Sequence, residues 1–389
     1  LFLKLSSGGF RVGVNKGLVH DAVAQAVSMD RAVIEERLMG GFIADVDWLR
    51  RLQSPVTQDE LDARPLPFLL ANPLIENDLN SLDPSTVLVE YKWDGIRAQL
   101  IKTRETIRLW SRGDHDITGQ FPDIVDAATT LPSQLILDGE ILAGSPDQLL
   151  SFSDLQTRLN RKRITHNLLK THPVFFRAYD VLRRDGEDIR EKPLIYRKEI
   201  LATLAVTQSP VSFPNTPEQI AAMRESAREA SAEGVIIKRR ESPYVSGRRV
   251  GHWWKWKLDP MTADCVLIYA QAGHGRRASL HSDYTLACWT SDGNLVPVAK
   301  AYSGLTDAEL KAMDRWIRKH TVQKFGPVRQ VEPQQVFEIG FEGITRSTRH
   351  KSGLALRFPR ILRWRQDVGA NDADRLTHFE TLMSDSHAV

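Results

Sequence analysis

The spacing of apolar residues changes along the chain and separates it into regions. Over residues 15–29 apolar side chains recur every three to four positions, which is the period of an amphipathic helix. Residues 30–38 show a second, shorter helical pattern that begins at Asp30, a helix-capping residue type. Residues 53–66 combine prolines and charges without a clear period, as linkers do. The pattern predicts a helical segment over residues 1–52 that is followed by a linker.

Residues 67–260 carry short apolar runs that are separated by turns and by helical patterns. This mixture is typical of an α+β domain. The polar residues that are candidates for chemistry cluster at the ends of the predicted strands. The predicted strands are 87–92, 98–102, 107–111, 135–142, 174–182 and 234–238, and the predicted helices are 152–160, 194–205 and 217–232.

Alternating segments dominate residues 261–369. Strands are predicted at 263–270, 284–290, 295–301 and 335–341, with one helix at 307–320. Roughly five strands and one helix in about 100 residues favour a small Greek-key barrel of the oligonucleotide-binding kind. Residues 370–389 are polar, and we expect a loose tail there.

Composition places the chain among globular proteins. Of 389 residues, 42% are hydrophobic and 26% charged, and this length predicts two to three domains. No apolar run approaches the roughly 18 to 20 residues of a spanning helix, and no signal peptide is recognisable. Cys265 and Cys288 lie in apolar contexts without a C-x-x-C spacing, which argues against structural zinc and a disulfide framework. We expect a cytoplasmic protein that makes no membrane contact.

Two further features of the sequence bear on its partners and its extent. The net charge of +3 is only mildly basic, so binding to nucleic acid has to depend on local clusters of arginine. The chain begins at Leu1 without an initiator methionine, and we interpret it as a fragment of a longer protein. The arginine clusters lie at 158–163, 239–240, 248–249, 276–277 and 346–365.

Lys92 carries the most informative local motif. It follows the apolar run 87–91 and precedes Asp94, Gly95 and Arg97 in a K-x-D-G-x-R string. A lysine at a strand end beside a turn can reach a bound phosphate, and it becomes a nucleophile when burial or neighbouring cations lower its pKa. The string alone is equally compatible with a surface Lys–Asp pair.

Three other segments place charged residues where a strand would normally stay apolar. Glu140 lies between apolar residues, and Glu233 and Lys238 flank a predicted strand. Residues 253–257 alternate tryptophan and lysine, so Lys255 and Lys257 are predicted on one face. Lysines neutralise a triphosphate and carboxylates hold Mg²⁺, so the set fits nucleotidyl transfer. Because the glycine-rich phosphate loops are missing, side chains must hold the phosphates.

Taken in order, these segments resemble the motifs of ATP-dependent DNA ligases of the covalent nucleotidyltransferase superfamily, and the resemblance covers almost the whole chain. It implies an ATP-grasp-like nucleotidyltransferase domain of antiparallel sheets with helices at 67–260 and an OB-fold β-barrel at 261–369. The segment 4–14 resembles the end of the helical DNA-binding domain of larger ligases, so 1–52 would be a remnant of that domain.

The resemblance also implies roles for single residues. Lys92 would take AMP, with Asp94 and Lys257 as further catalytic residues, and Tyr179 would stack on adenine. Residues 357–367 would swing over the triphosphate, although Val368 stands where the family usually has a lysine; Arg363 or Arg365 could replace that charge. The implied ATP contacts are Glu90, Arg97, Arg112, Glu140, Tyr179, Lys238, Lys255, Lys257, Arg357 and Arg363, the metal contacts Glu140 and Glu233, and the DNA contacts Arg97 and Arg112. Arg158, in the arginine cluster at 158–163, is a further predicted DNA contact.

The implied reaction is the sealing of nicked duplex DNA with ATP and Mg²⁺ or Mn²⁺, by a monomer associated with a bacterial nucleoid. An RNA ligase or an mRNA guanylyltransferase shares the lysine motif and stays an alternative. A non-catalytic DNA-binding protein on a ligase fold is a third hypothesis. An NAD-dependent ligase is disfavoured because its cysteine-rich zinc module has no counterpart here.

Overall fold

The N-terminal helices form where the apolar periodicity predicts them. In the computed structural model, α1 (Lys16–Val27) begins after Asn15, whose side chain accepts a hydrogen bond from the amide of Leu18, and α2 (Arg31–Arg37) begins after Asp30 in the same way. A short α3 (Trp48–Gln53) follows. These helices share a small apolar cluster: Ala24, Val27, Ile34, Leu38 and Leu52.

The structure describes residues 14–40, 45–55, 63–159, 161, 163–273, 278–302 and 304–387. Nearly all of the predicted 4–14 motif, the 276–277 arginine pair and half of the 53–66 linker lie outside these residues. The chain divides into two units, Leu1–Leu258 and Asp259–Val389.

The strands of the first unit are β1 (Leu69–Leu70), β2 (Asn72–Pro73), β3 (Val87–Trp93), β4 (Ile96–Lys102), β5 (Ile107–Ser111), β6 (Leu135–Ala143), β7 (Val174–Arg184), β8 (Glu187–Asp188), β9 (Val211–Ser212), β10 (Ala232–Arg239), β11 (Gly247–Arg248) and β12 (Trp253–Lys257). The unit contains two five-stranded sheets, one in the order β2-β12-β10-β3-β9 and the other in the order β5-β4-β6-β7-β8, and a two-stranded β1-β11 pair. Its further helices are α4 (Glu76–Ser81), α5 (Pro122–Ala128), α6 (Phe152–Leu159), α7 (His166–Thr171), α8 (Leu194–Ala202) and α9 (Pro217–Glu225).

The six predicted strands are present in this unit, and the mixed α+β class is confirmed. One helix was predicted too long: the pattern over 217–232 suggested a single helix, whereas α9 ends at Glu225. Ser231 then adopts a left-handed conformation (φ 55°), which redirects the chain into β10. The spacing of apolar residues in the sequence does not reveal such a turn.

The second unit is built around β13, a 12-residue strand that pairs with β14, β17 and β18. Its sheet runs β15-β14-β13-β17-β16, and β18 also pairs with β21. Closure of this sheet into the predicted barrel stays a prediction. The strands are β13 (Met261–Ala272), β14 (His281–Trp289), β15 (Leu295–Ala301), β16 (Thr321–Phe325), β17 (Val328–Val331), β18 (Val336–Phe341), β19 (Gly343–Arg346), β20 (Leu354–Arg357) and β21 (Arg360–Arg365), and the helices are α10 (Asp307–Lys319) and α11 (Leu376–His387).

The prediction of a loose polar tail at 370–389 is wrong. Residues of this stretch form α11, and Phe379 on that helix is fully buried and stacks on Phe341 with 5.7 Å between ring centroids.

Val368 packs against a second apolar cluster that contains Val266 and Val336. A valine at position 368 therefore has a packing role in this chain.

Candidate functional site

Lys92 lies near the end of β3, and its ammonium contacts a carboxylate of the neighbouring strand. Its Nζ donates a hydrogen bond to Oε2 of Glu233 on β10, and Lys257 Nζ lies 3.5 Å from the same oxygen. Gly234 makes this arrangement possible, because its φ is +136° and a Cβ there would overlap the carbonyl oxygen of Trp256. The antiparallel pairing of β10 with both β3 and β12 thus brings three predicted residues together.

Glu140 joins the same group from the other sheet. It lies on β6 opposite Arg97 of β4, and Gly95 approaches it so closely that a Cβ there would lie 2.7 Å from Glu140 Cγ. Burial raises the pKa of Glu140 to about 8, although Lys92 and Arg97 act in the opposite direction. A carboxyl group with such a pKa is a recognised sign of a functional site.

A cavity of about 540 Å³ opens beside Lys92. Volumes of this order accommodate nucleotide-sized ligands. Lys92, Arg112, Arg248 and Lys255 line it with positive charge. The pKa of Lys255 is lowered, mainly by burial and then by its cationic neighbours Arg248, Lys92, Lys257 and Arg112. This part of the cavity suits a polyanion such as a triphosphate.

Aromatic residues line another part of the cavity. Tyr179 and Trp253 both contact Lys238, whose Nζ lies 4.5 Å and 4.2 Å from their ring centroids. Lys238 also binds Glu90 Oε2, and Lys198 Nζ lies 2.5 Å from Glu90 Oε1. Burial lowers the pKa of Lys238 to about 8 against the opposing effect of Glu90. Lys238 lines the cavity, while aromatic rings and a carboxylate surround its amine, and its predicted contact with ATP stays a prediction.

Arg97 is held inside the first unit. Its Nη2 lies 2.7 Å from Asp138 Oδ2 and its Nη1 2.7 Å from the carbonyl oxygen of Leu69, and its guanidinium lies over Phe68 and Tyr179. Arg97 lines the cavity, which agrees with the predicted ATP contact. Its fixed position disfavours the predicted DNA contact.

The predicted DNA contact by Arg158 is wrong. Its side chain is fully buried, donates to the carboxylate of Asp123 at 2.7 Å and donates to the carbonyl oxygens of Gln120 and His172. A buried, fully paired arginine serves packing and cannot reach a DNA phosphate.

Five other predicted residues lie near the cavity or in the second unit. Asp94 lies in the turn between β3 and β4, and Arg112 is exposed at the cavity. Arg357 ends β20 and lies over Phe358, while Arg363 Nε on β21 lies 2.5 Å from Glu338 Oε2. Arg365, the other candidate to replace the missing lysine, binds both Asp264 and Asp367.

The residues around Lys92 fit a magnesium ion that is shared with substrate. Across the described ranges no group of three or more His, Cys, Asp or Glu side chains forms a complete metal site. Mg²⁺, however, is commonly bound by one or two carboxylates while water and substrate phosphates supply the other ligands. Glu140 and Glu233 influence each other electrostatically beside Lys92, and the raised pKa of Glu140 marks a carboxylate that a cation would stabilise.

Sequence reasoning missed several residues that shape the cavity. Asp138 orients Arg97 and accepts a hydrogen bond from Tyr244 at 2.7 Å, and its place two positions before Glu140 on one strand was a usable signal. Lys198 lies on α8, 108 residues from its partner Glu90, and no local pattern reveals that pairing.

Within the described part of the chain, no helix has the length and apolar character needed to cross a membrane.

Comparisons with known proteins identify the family of this chain. The family profile described as the ATP dependent DNA ligase domain matches residues 69–257, and the ATP dependent DNA ligase C terminal region matches 277–368. The chain is 34% identical to a probable DNA ligase of Koribacter versatilis, over 98% of this chain and 71% of that protein. It is 33% identical to a DNA ligase of Natronomonas pharaonis, over 98% and 70%. A solved structure from a study of Lig E DNA ligases shares the fold, with a TM-score of 0.54, 18% identity and coverage of 77% of this chain and 99% of that one.

Proposed function

The chain belongs to the ATP-dependent DNA ligases, and we propose that Lys92 is the residue that carries AMP. The observation that supports this assignment is the position of its Nζ, which contacts Glu233, has Lys257 nearby and lines the cation-rich cavity. In the first step Nζ attacks the α-phosphorus of ATP, a P–N bond forms, and the bond to pyrophosphate breaks. The amine must lose a proton, and Glu233 is positioned to hold it.

The two parts of the cavity suit the two ends of ATP. Tyr179 and Trp253 offer flat surfaces for adenine, and Glu90 offers a carboxylate acceptor for the exocyclic amino group. Lys255, Arg112 and Arg248 neutralise the phosphate oxygens, which favours attack at the α-phosphorus. Glu140 and Glu233 would hold Mg²⁺, which when bound would stabilise charge on the reacting phosphate oxygens.

The later steps transfer AMP to the 5′-phosphate of a nick and join that phosphate to the 3′-hydroxyl with release of AMP. Arg112 is exposed beside Lys92 and is our candidate for contact with the DNA phosphate. Recognition through the DNA backbone predicts sealing that is indifferent to base sequence and weakens as salt rises. Arg357 and Arg363 stay predicted triphosphate contacts of the second unit, and the monomeric state and nucleoid location stay predictions.

Transfer of label from ATP tests the proposal. Incubation with α-³²P-labelled ATP and Mg²⁺ should label the protein covalently, and Lys92→Ala should abolish the label. Lys170→Ala, which removes an exposed lysine of the same unit, should label normally. Wild-type protein that stays unlabelled, or Lys92→Ala protein that is labelled as fully as wild type, would contradict the proposal.

Parallel assays separate the remaining alternatives. Label from ATP but not GTP disfavours an mRNA guanylyltransferase, and sealing of nicked DNA in preference to nicked RNA disfavours an RNA ligase. Binding of nicked DNA without any ATP turnover would support the non-catalytic hypothesis.

A further inference from the structure

The α1–α2 hairpin (residues 16–37) contributes to the wall of the ATP cavity. Lys16 and His20 of α1 and Glu35 of α2 line it, together with Met39 just after α2. The predicted role of this segment was contact with DNA. It lines the same cavity as Lys255 and Arg112, which indicates an additional role at the nucleotide.

Asp114 and Arg190 make the polar contacts that dock the hairpin and the residues just after it against the rest of the first unit. Asp114, in the loop that follows β5, accepts a hydrogen bond from the amide of Gly40 at 2.8 Å and from Lys16 Nζ at 3.0 Å. Glu36 on α2 forms an ion pair with Arg190, 3.1 Å from Oε2 to Nη2. The partners are 74 to 154 residues apart in the chain, so these contacts link the hairpin to a distant part of the first unit.

This docking is suited to reversal. The buried apolar residues of α1 and α2 form a cluster with Leu52, separate from the apolar clusters of the two sheets. The ion pair of Lys16 is partly exposed, and such pairs contribute little stability. A ligand that contacts the hairpin only in its docked position would therefore readily shift the hairpin toward that position.

The charge of the residues that the hairpin places at the cavity indicates which end of ATP it would contact. Lys16 contacts Asp114, only two residues from the cavity-lining Arg112, so it belongs to the cationic part of the cavity. His20 is buried beside it, and burial lowers its pKa, which favours a neutral ring. Lys16 is consequently the cation that α1 offers to the cavity.

We propose that the docked α1–α2 hairpin is a part of the ATP site and that Lys16 binds the triphosphate during self-adenylation. The inference rests on the proposed function, because it concerns ATP in the same cavity. Lys16 would act in the first step alone, since the triphosphate is gone once AMP is attached to Lys92. It is a binding residue, so its removal should change KM for ATP more than kcat.

Self-adenylation kinetics test this inference. Lys16→Ala should raise KM for ATP about 5- to 10-fold, as expected when one partly exposed charge-assisted hydrogen bond is lost, and Lys16→Arg should restore most of it. Sealing of a nick that already carries AMP needs no ATP and should stay within about twofold of wild type. Arg31→Ala is the matched control, since Arg31 is an exposed cation of the same hairpin that pairs with Asp21 and does not line the cavity.

The outcomes separate this inference from the proposed function. An unchanged KM for ATP in Lys16→Ala, with wild-type protein labelled normally, would overturn the role of Lys16 and leave Lys92 in place. Equal losses in self-adenylation and in sealing of the pre-adenylated nick would also overturn it, because they would indicate a folding or DNA-binding defect. Wild-type protein that takes no label would instead contradict the proposed function itself.

Discussion

Two glutamates of the first unit each bind two lysines, but in different surroundings. Glu233 contacts Lys92 and Lys257, and its side chain is 18% exposed while that of Lys92 is 23% exposed. Glu90 contacts Lys238 and Lys198, and the Glu90 and Lys238 side chains are each only 2% exposed. The residue types are the same, and the exposure of the side chains differs.

The comparison favours Lys92 over Lys238 as the nucleophile. Lys238 has a pKa lowered to about 8, yet aromatic rings and Glu90 enclose its amine. Lys92 is open to the cavity and has a carboxylate at its amine. We therefore assign chemistry to the open group around Glu233 and positioning of the ATP pocket to the closed group around Glu90.

Removal of the charge at Glu233 should have the largest effect on activity. Glu233→Gln keeps the shape but weakens proton acceptance and the predicted metal contact, so self-adenylation should slow by about 100-fold or more. Single-turnover labelling measures this rate, and the melting temperature should change little. Labelling at the wild-type rate would contradict a chemical role for the open group.

Truncation of the closed group should have the largest effect on stability. Glu90→Ala leaves two buried lysines without their carboxylate and should lower the free energy of unfolding by about 3–5 kcal/mol. The matched Glu233→Ala variant removes a partly exposed partner and should lose about 1 kcal/mol or less. Urea denaturation compares the two, and equal losses would contradict the distinction between them.

Gly234 tests how the open group is built. Gly234→Ala would place a Cβ against the carbonyl of Trp256 at a φ of +136°, so we expect a loss of about 1–3 kcal/mol and slower labelling. Gly293→Ala is the control, because Gly293 also has a positive φ but a Cβ there meets nothing within 4 Å. Similar losses of stability and rate in both variants would show that strain alone, without the overlap, explains the effect.

The raised pKa of Glu140 predicts a modest pH dependence of stability. Its pKa is about 8 in the folded protein and near 4.5 in the unfolded chain, so the folded protein binds more protons between these values. Stability should therefore fall as pH rises from about 5 to about 8, with a slope of at most about 1.4 kcal/mol per pH unit. Urea denaturation at several pH values should give a flatter profile for Glu140→Gln, and identical profiles would contradict the assignment.

Local sequence patterns predicted much of the fold and part of the site. The alternation over 253–257 places Lys255 at the cavity and Lys257 at Glu233, while Trp254 and Trp256 pack in an apolar cluster on the other face. The α+β class and membership of the ATP-dependent DNA ligases are confirmed. The alternation and the α+β class depended on local patterns, and the family depended on the order of several local motifs along the chain.

Features that depend on distant partners could not be predicted in this way. Arg158 was assigned to DNA from a local cluster of arginines, but its partner Asp123 lies 35 residues away and makes it a buried structural residue. The polar sequence of 370–389 did not predict a helix, because the apolar residues that Phe379 packs against lie in other elements of the second unit. The roles of Lys198 and of the docked α1–α2 hairpin could not be predicted for the same reason, because their contacts join residues that are far apart in the sequence.

Mapping of the adenylated residue tests the central claim most directly. After incubation of wild-type protein with ATP and Mg²⁺, proteolysis and mass spectrometry should locate AMP on the peptide that contains Lys92, with none on Lys238 or Lys257. AMP found on Lys238 or Lys257 would contradict the assignment of the open group around Glu233 as the site where Lys92 acts as the nucleophile.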